Sequence, residues 1–344
     1  MKGRFLEACR RQPVDATPVW FMRQAGRALP EYRAIRERHA LLDIVGQPEL
    51  CAEVTLQPVR RLGVDAAIVF ADITLPLEGL GVDFEIRPGV GPVIPRPLRE
   101  PDDVDRLRPF DAGPLVGSLI EALGFLRRES PVPVIGFAGA PFTLAAYLIE
   151  GGPSRQFLEV KRFLHAHPAA WADLMGRLTD ATIAYLGAQA AAGAEALQLF
   201  DSWIGALAPR EYRQAVQPHV RRLFSQLPAV PTVHFGTGTA GLLPELAAAG
   251  GDVIGLDWRI DLDRGWDLVG ERAVQGNLDP ALVTGPWPAV RAGADDVLAR
   301  AAGRPGHVFN LGHGVLPGTP VENLRRLVDH VHETTARSAR EAAG

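Results

Sequence analysis

Short apolar or β-branched runs recur along the chain at 18–21, 66–70, 132–137, 196–200, 231–235, 253–256, 273–275 and 307–311. Each is followed by a helical pattern, in which apolar residues return every three or four positions and leave one face to bury. Examples are 49–62, 171–192, 210–226 and 321–340, several opened by Pro and closed by Gly, residues that suit the first turn and the end of a helix. Eight such strand-then-helix units predict an α/β fold in which a parallel sheet closes into a single (β/α)8 TIM barrel. Segment 81–97 breaks the rhythm, because Val82, Phe84 and Ile86 alternate while Gly89, Gly91 and several prolines interrupt the chain. That pattern predicts an added β-hairpin after strand two. No low-complexity linker or shift in composition divides the sequence, so residues 1–344 are expected to form one catalytic barrel domain.

Composition narrows the choice of partners. Hydrophobic residues make up 47% and charged residues 22% of the 344 positions, enough for a large core beneath an ordinary polar surface. With a net charge of −4 and a pI near 6.2, the chain has no overall positive field to hold nucleic acid or an anionic membrane. Any anion site must therefore be local. No run approaches the roughly 18 to 20 apolar residues of a membrane span, and residues 1–15 are too polar and Arg-rich for a secretory leader, so a cytoplasmic protein is expected.

The two cysteines, Cys9 and Cys51, belong to no Cys-x-x-Cys pattern and have no histidine at ligand spacing, which argues against structural zinc and a disulfide framework. Lys2 and Lys161 are the only lysines. One is terminal and the other lies in a polar helical stretch, so neither offers a convincing amine for Schiff-base or pyridoxal chemistry.

In such a barrel the active site forms at the C-terminal ends of the strands. Here those ends are polar: Met22-Arg23-Gln24-Ala25-Gly26-Arg27, Asp72, Gly139 to Thr143, Asp201-Ser202-Trp203, Gly236-Thr237, Asp257-Trp258, Gly276-Asn277 and Gly312-His313-Gly314. Arg23 and Arg27, four apart in a glycine-containing turn, could present two guanidinium forks to carboxylates or could form surface ion pairs. Asp72 could cap the next helix or accept N–H donors from a ligand. His313 reads either as a proton shuttle and hydrogen-bond donor or as a structural residue. Ser202 could cap a helix, and Tyr147 could pack in the core.

Two patterns compete with this site. Gly236-Thr-Gly238-Thr-Ala-Gly241, with Asp257 downstream, matches the dinucleotide fingerprint, yet it falls in the fifth unit rather than opening a nucleotide-binding domain. The pairs His165/His167 and His330/His332 are spaced i, i+2, which on a helix point to different faces and suit solvated histidines better than metal ligands.

The stretch Pro18-Val-Trp20-Phe-Met-Arg23-Gln-Ala-Gly26-Arg27-Ala-Leu-Pro30-Glu-Tyr32 resembles the N-terminal signature of the uroporphyrinogen decarboxylase family. Gly136-Phe-Ala-Gly139-Ala-Pro141-Phe-Thr-Leu-Ala-Ala-Tyr147 resembles the family's second signature. Phe70-Ala-Asp72-Ile, Phe200-Asp-Ser202-Trp, Gln275-Gly-Asn277-Leu-Asp-Pro280 and Asn310-Leu-Gly-His313-Gly resemble further blocks, so the similarity spans essentially the whole chain. The resemblance implies a carboxy-lyase of haem and porphyrin biosynthesis. It would act as a homodimer, without cofactor or metal, converting the four acetate arms of uroporphyrinogen III stepwise to methyls to give coproporphyrinogen III. It also implies catalytic roles for Asp72, Arg23, Tyr147 and His313, and substrate contacts from those four together with Arg27, Ser202, Gln24 and Phe200.

The chemistry fits the scarcity of amine nucleophiles. Loss of CO2 leaves an electron pair that needs a sink, and a pyrrole protonated at the ring carbon beside the acetate arm can supply one. The resemblance assigns Asp72 to the central pyrrole N–H groups and the cationic intermediate, and the arginines to carboxylates. Arg23, or a water it orients, would deliver the proton. Two alternatives are a related cobalamin-dependent methyltransferase and a non-catalytic tetrapyrrole binder. The methyltransferase would need zinc on a His-x-Cys pair and a further cysteine, where this chain reads His234-Phe-Gly236.

Overall fold

The computed structural model describes residues 3–26 and 28–336. Its main sheet contains β1 (Ala67–Ile68), β4 (Val134–Gly139), β5 (Ala196–Asp201), β6 (Thr232–Gly236), β7 (Val253–Gly255), β8 (Ala273–Gln275) and β9 (His307–Val308), all parallel and adjacent in that order. Between β1 and β4 lie β2 (Glu85–Arg87) and β3 (Gly91–Val93), which pair antiparallel as a separate hairpin with Arg87 opposite Gly91.

The first apolar run, 18–21, is not a regular strand but closes the ring. Phe309 donates its N–H to the Pro18 carbonyl at 2.8 Å, and Trp20 donates to the Phe309 carbonyl at 3.3 Å. On the other side Asp65 donates to the Val19 carbonyl at 2.8 Å, so residues 18–20 sit between the last strand and the approach to β1. The result is the expected α/β barrel with the hairpin beside it. The strands are short because each needs only a few residues to cross a ring whose two edges meet.

Burial explains why sequence periodicity located the strands well. All six residues of β4 are buried, as expected for a parallel strand with the barrel interior on one face and helices on the other. The helix Pro168–Ala192 buries Trp171, Leu174, Met175, Leu178, Ala181, Tyr185 and Leu186, a three-four spacing that lays one stripe on the sheet. One continuous apolar core runs from Phe5 to Val331. Inside the ring a polar ladder replaces part of it: Trp20 Nε1 donates to Gln275 Oε1 at 3.0 Å, and Gln275 Nε2 to Gln198 Oε1 at 3.2 Å.

The expected helix 210–226 is two helices, Pro209–Ala215 and Gln217–Gln226. Pro218 has no N–H to continue the ladder, and Val216 takes φ −128°, so the chain breaks between them. The last helix, Val321–Thr335, ends short of position 340, and residues 337–340 lie outside the described residues. Among the described residues no helix is long and apolar enough to cross a membrane.

Candidate active site

The ends of the parallel strands converge on one mouth, and loop-to-loop bonds hold it. Val315 donates to the Met22 carbonyl at 2.9 Å, tying the turn after residues 18–20 to the loop after β9. Gly139 donates to the Ile73 carbonyl at 3.0 Å, joining the loop after β1 to the end of β4.

Arg23 stands in the first of these turns at φ +59°, a left-handed conformation that costs a residue with a Cβ about 1–2 kcal/mol. Its stem lies across Gly314, where a methyl group would come within 2.7 Å of Arg23 Cδ, so only glycine next to His313 leaves room for the arginine. Asp72 lies beyond β1. Its Oδ1 accepts hydrogen bonds from Thr74 N at 2.9 Å and Thr74 Oγ1 at 2.6 Å. Oδ2 has no partner among the described residues. Asp72 does not cap the next helix, whose N-cap is Leu75; Oδ1 instead braces the turn through Thr74, which leaves Oδ2 for the ligand role.

Tyr147 projects from the second turn of the helix Pro141–Glu150 and is 7% exposed. Its ring lies 4.0 Å from that of Trp203 at an angle of 34°, and Phe157 also packs against Trp203 at 5.2 Å. Burial holds the Tyr147 hydroxyl well above the usual phenol range; the charge of Asp72 pushes the same way and Arg23 opposes it. Tyr147 therefore remains a protonated phenol at neutral pH, between an acid and a guanidinium.

His313 is pushed down to about 4, first by burial and then by Arg23 and Arg259, with Asp257 opposing. At neutral pH it is a neutral imidazole. Its ring meets Phe235 at 6.5 Å and Trp258 at 6.2 Å. Phe235 in turn packs edge-on against Phe200 at 6.0 Å, and Phe200 against Phe137 at 5.5 Å, giving an aromatic wall along β4, β5 and β6. Ser202 follows β5, and its carbonyl accepts a hydrogen bond from Thr237 Oγ1 at 2.5 Å.

Tyr147 thus feels the charges of Asp72 and Arg23, and His313 feels that of Arg23, while Phe200 joins the aromatic wall that reaches His313 through Phe235. Gln24 is different. It is 1% exposed, its Oε1 accepts from Phe21 N at 3.0 Å, and its Nε2 donates to the Ala66 carbonyl at 3.0 Å. Its carboxamide braces the turn that carries Arg23, because at that position the chain points inward between residues 18–20 and β1. Arg27 lies outside the described residues.

The competing motifs resolve into local structure. The buried Asp257 carboxylate accepts from Gly238 N, Arg259 N and Arg259 Nη1, so the glycine-rich loop after β6 is folded onto its own acid. The paired histidines part company: His165 meets Glu211 at 2.9 Å, His330 meets Asp295 at 2.6 Å and His332 meets Asp65 at 2.7 Å. Cys9 and Cys51 are both buried and unpaired, and burial pushes the Cys51 thiol up to about 12. Sequence reading passed over Arg259, whose only signal was its place just after the sixth barrel strand.

The family model described as Uroporphyrinogen decarboxylase (URO-D) matches residues 1–334. A Roseiflexus sp. (strain RS-1) protein named uroporphyrinogen decarboxylase is 55% identical, covering 97% of this chain and 99% of its own length. One of the same name from Thermus thermophilus is 53% identical over 96% of this chain and 98% of its own. A solved methyltransferase from Methanosarcina mazei superposes with TM-score 0.76 at 22% identity, covering 97% of this chain and 98% of its own, which speaks to the shared fold alone. With more than half of its residues identical to such relatives along nearly its full length, this chain belongs to the uroporphyrinogen decarboxylase family.

Proposed function

We propose that this chain removes CO2 from the four acetate arms of uroporphyrinogen III in steps, leaving methyl groups and yielding coproporphyrinogen III for porphyrin and haem synthesis. It works as one barrel domain covering 1–344, paired as a homodimer in the cytoplasm and requiring no metal or organic cofactor. What supports this reading is that the buried phenol Tyr147 feels the opposing charges of Asp72, a carboxylate with one oxygen bonded to Thr74, and of Arg23, held at positive φ.

The chemistry balances on the substrate itself. A proton added to the pyrrole carbon beside an acetate arm makes a cation spread over the ring and its nitrogen. The C–C bond to the carboxylate then breaks, CO2 departs, and the bonding pair forms an exocyclic double bond to the ring. A second proton converts that methylene to methyl, and loss of the first restores the pyrrole. The net change at each arm is the exchange of CO2 for one proton.

The side chains divide this work. Asp72 Oδ2 accepts pyrrole N–H and lowers the energy of the ring cation, a charge placed where positive charge develops. Arg23, together with Arg27, binds side-chain carboxylates, and Arg23 or a water held by it delivers the ring proton. Tyr147 and neutral His313 offer hydrogen bonds that orient the arms, with Ser202 beside them. Phe200 and its aromatic neighbours give the macrocycle a face to lie against.

The test is anaerobic incubation of the purified protein with uroporphyrinogen III, followed by oxidation and chromatography. Successive seven-, six-, five- and four-carboxyl products support the reading, and no product above the enzyme-free control refutes it. Tight binding without turnover would instead indicate a tetrapyrrole carrier, and stoichiometric zinc with methyl transfer would indicate the methyltransferase chemistry. Sedimentation at equilibrium checks the dimer.

A further inference from the structure

Arg259 follows β7, the sixth strand of the ring counted from residues 18–20, whereas Asp72 follows β1, the second. Four strands apart in a ring of eight, the two stand on opposite sides of the mouth. Arg259 is a built feature rather than a loose surface charge. Its guanidinium lies 3.8 Å above the Trp258 ring, and its Nη1 donates at 2.8 Å to Asp257, a carboxylate only 1% exposed. Its own N–H donates to the other oxygen of the same acid at 2.9 Å, and Gly238 N also donates to that acid. Asp257 therefore keeps two backbone donors without the guanidinium. The arginine side chain remains 50% exposed, its Nε and Nη2 have no partner among the described residues, and the Trp258 ring on which it stacks lies 6.2 Å from the His313 ring.

We propose that Arg259 is a carboxylate-binding residue for the tetrapyrrole, gripping a non-reacting side-chain carboxylate on the rim of the macrocycle farthest from Asp72. The inference rests on the substrate class proposed above. A macrocycle centred on Asp72 carries its carboxylates outward toward the far wall, and a guanidinium already fixed by a stack and an ion pair loses little freedom when it binds one. The effect of Arg259 on His313 is consistent with both facing the same space.

The experiment uses uroporphyrin, the stable oxidised octacarboxylate, as a fluorescent probe of binding to the full chain, with turnover of uroporphyrinogen assayed in parallel. Arg259→Gln is expected to raise the Kd about tenfold at low salt and to flatten its dependence on NaCl. Arg259→Lys is expected to stay within about threefold of the parent, since it keeps the charge. A Kd for Arg259→Gln within about twofold of the parent overturns the assignment. So does a loss accompanied by a lowered melting temperature and an unchanged salt dependence, which marks a structural role, and so does failure of the parent to bind uroporphyrin. Binding that depends on Arg259 in a chain that does not decarboxylate would refute the proposed reaction while leaving this assignment standing.

Discussion

At the scale of single residues, the proposed chemistry turns on the charge of Asp72. Replacing it with Asn keeps the shape and an acceptor for Thr74 but removes the negative charge that would face a pyrrolic cation. Asp72→Asn is expected to lower kcat by about 10²- to 10³-fold, or about 3–4 kcal/mol of transition-state stabilisation, while uroporphyrin affinity changes far less. Near-normal turnover would show that the carboxylate is not the electrostatic partner. His313 gives a second prediction with a definite sign. Its folded-state value near 4 lies below the ordinary 6.5, so between these values the unfolded chain binds the extra proton and the folded chain does not. Its neutral burial is therefore tolerated above about pH 6.5, and stability is lost as the pH falls toward 4, by no more than about 3 kcal/mol. Urea unfolding across this range should show the parent losing stability relative to His313→Asn as the pH is lowered. Parallel curves would mean that the imidazole is solvated after all.

Among the elements, helix ends and breaks decide how the mouth is framed. The helix Pro48–Leu62, which packs behind β1, ends at Gly63 with φ +72°, and no atom lies within 4 Å of the place a methyl group would occupy there. Gly63→Ala is thus a nearly pure backbone change, expected to cost about 1 kcal/mol by denaturant titration and to leave kcat untouched. A loss several times larger would mean the αL turn does more than end the helix. The end of the helix that carries Tyr147 is tied to the hairpin strap, since Ile94 donates to the Gly151 carbonyl at 2.9 Å and Leu98 to the Leu148 carbonyl at 2.8 Å. The alternation at Val82, Phe84 and Ile86 announced a hairpin in the sequence but not this attachment, because backbone bonds between distant segments leave no residue signature.

The barrel as a whole depends on a seam. Asp65 accepts from Val19 N at 2.7 Å and from Arg4 Nη1 at 2.9 Å and pairs with His332 Nε2 at 2.7 Å, so a single carboxylate joins both ends of the described chain to the closing segment. Asp65→Ala would strand several partly buried donors at once and is expected to cost about 2–3 kcal/mol, with reduced activity following from a loosened Arg23 turn. Equal melting temperatures for the variant and the parent would show that closure rests on packing alone.

The sequence by itself determined the eight βα units and the hairpin, because burial enforces periodicity, and it singled out Arg23, Asp72, Tyr147 and His313 as candidates because strand ends are short, polar and glycine-rich. It also carried the family resemblance along the whole chain. Only the tertiary structure decided that 18–20 is the closing seam, that Gln24 braces backbone, that Asp257 ties the loop after β7 to the loop after β6, and that the strands preceding Arg259 and Asp72 stand four apart in the ring. Those outcomes depend on which way a side chain turns once distant segments meet. A guanidinium after a strand reads the same in sequence whether it points to bulk water or across a cavity, and only the ring of strands fixes which neighbours it has.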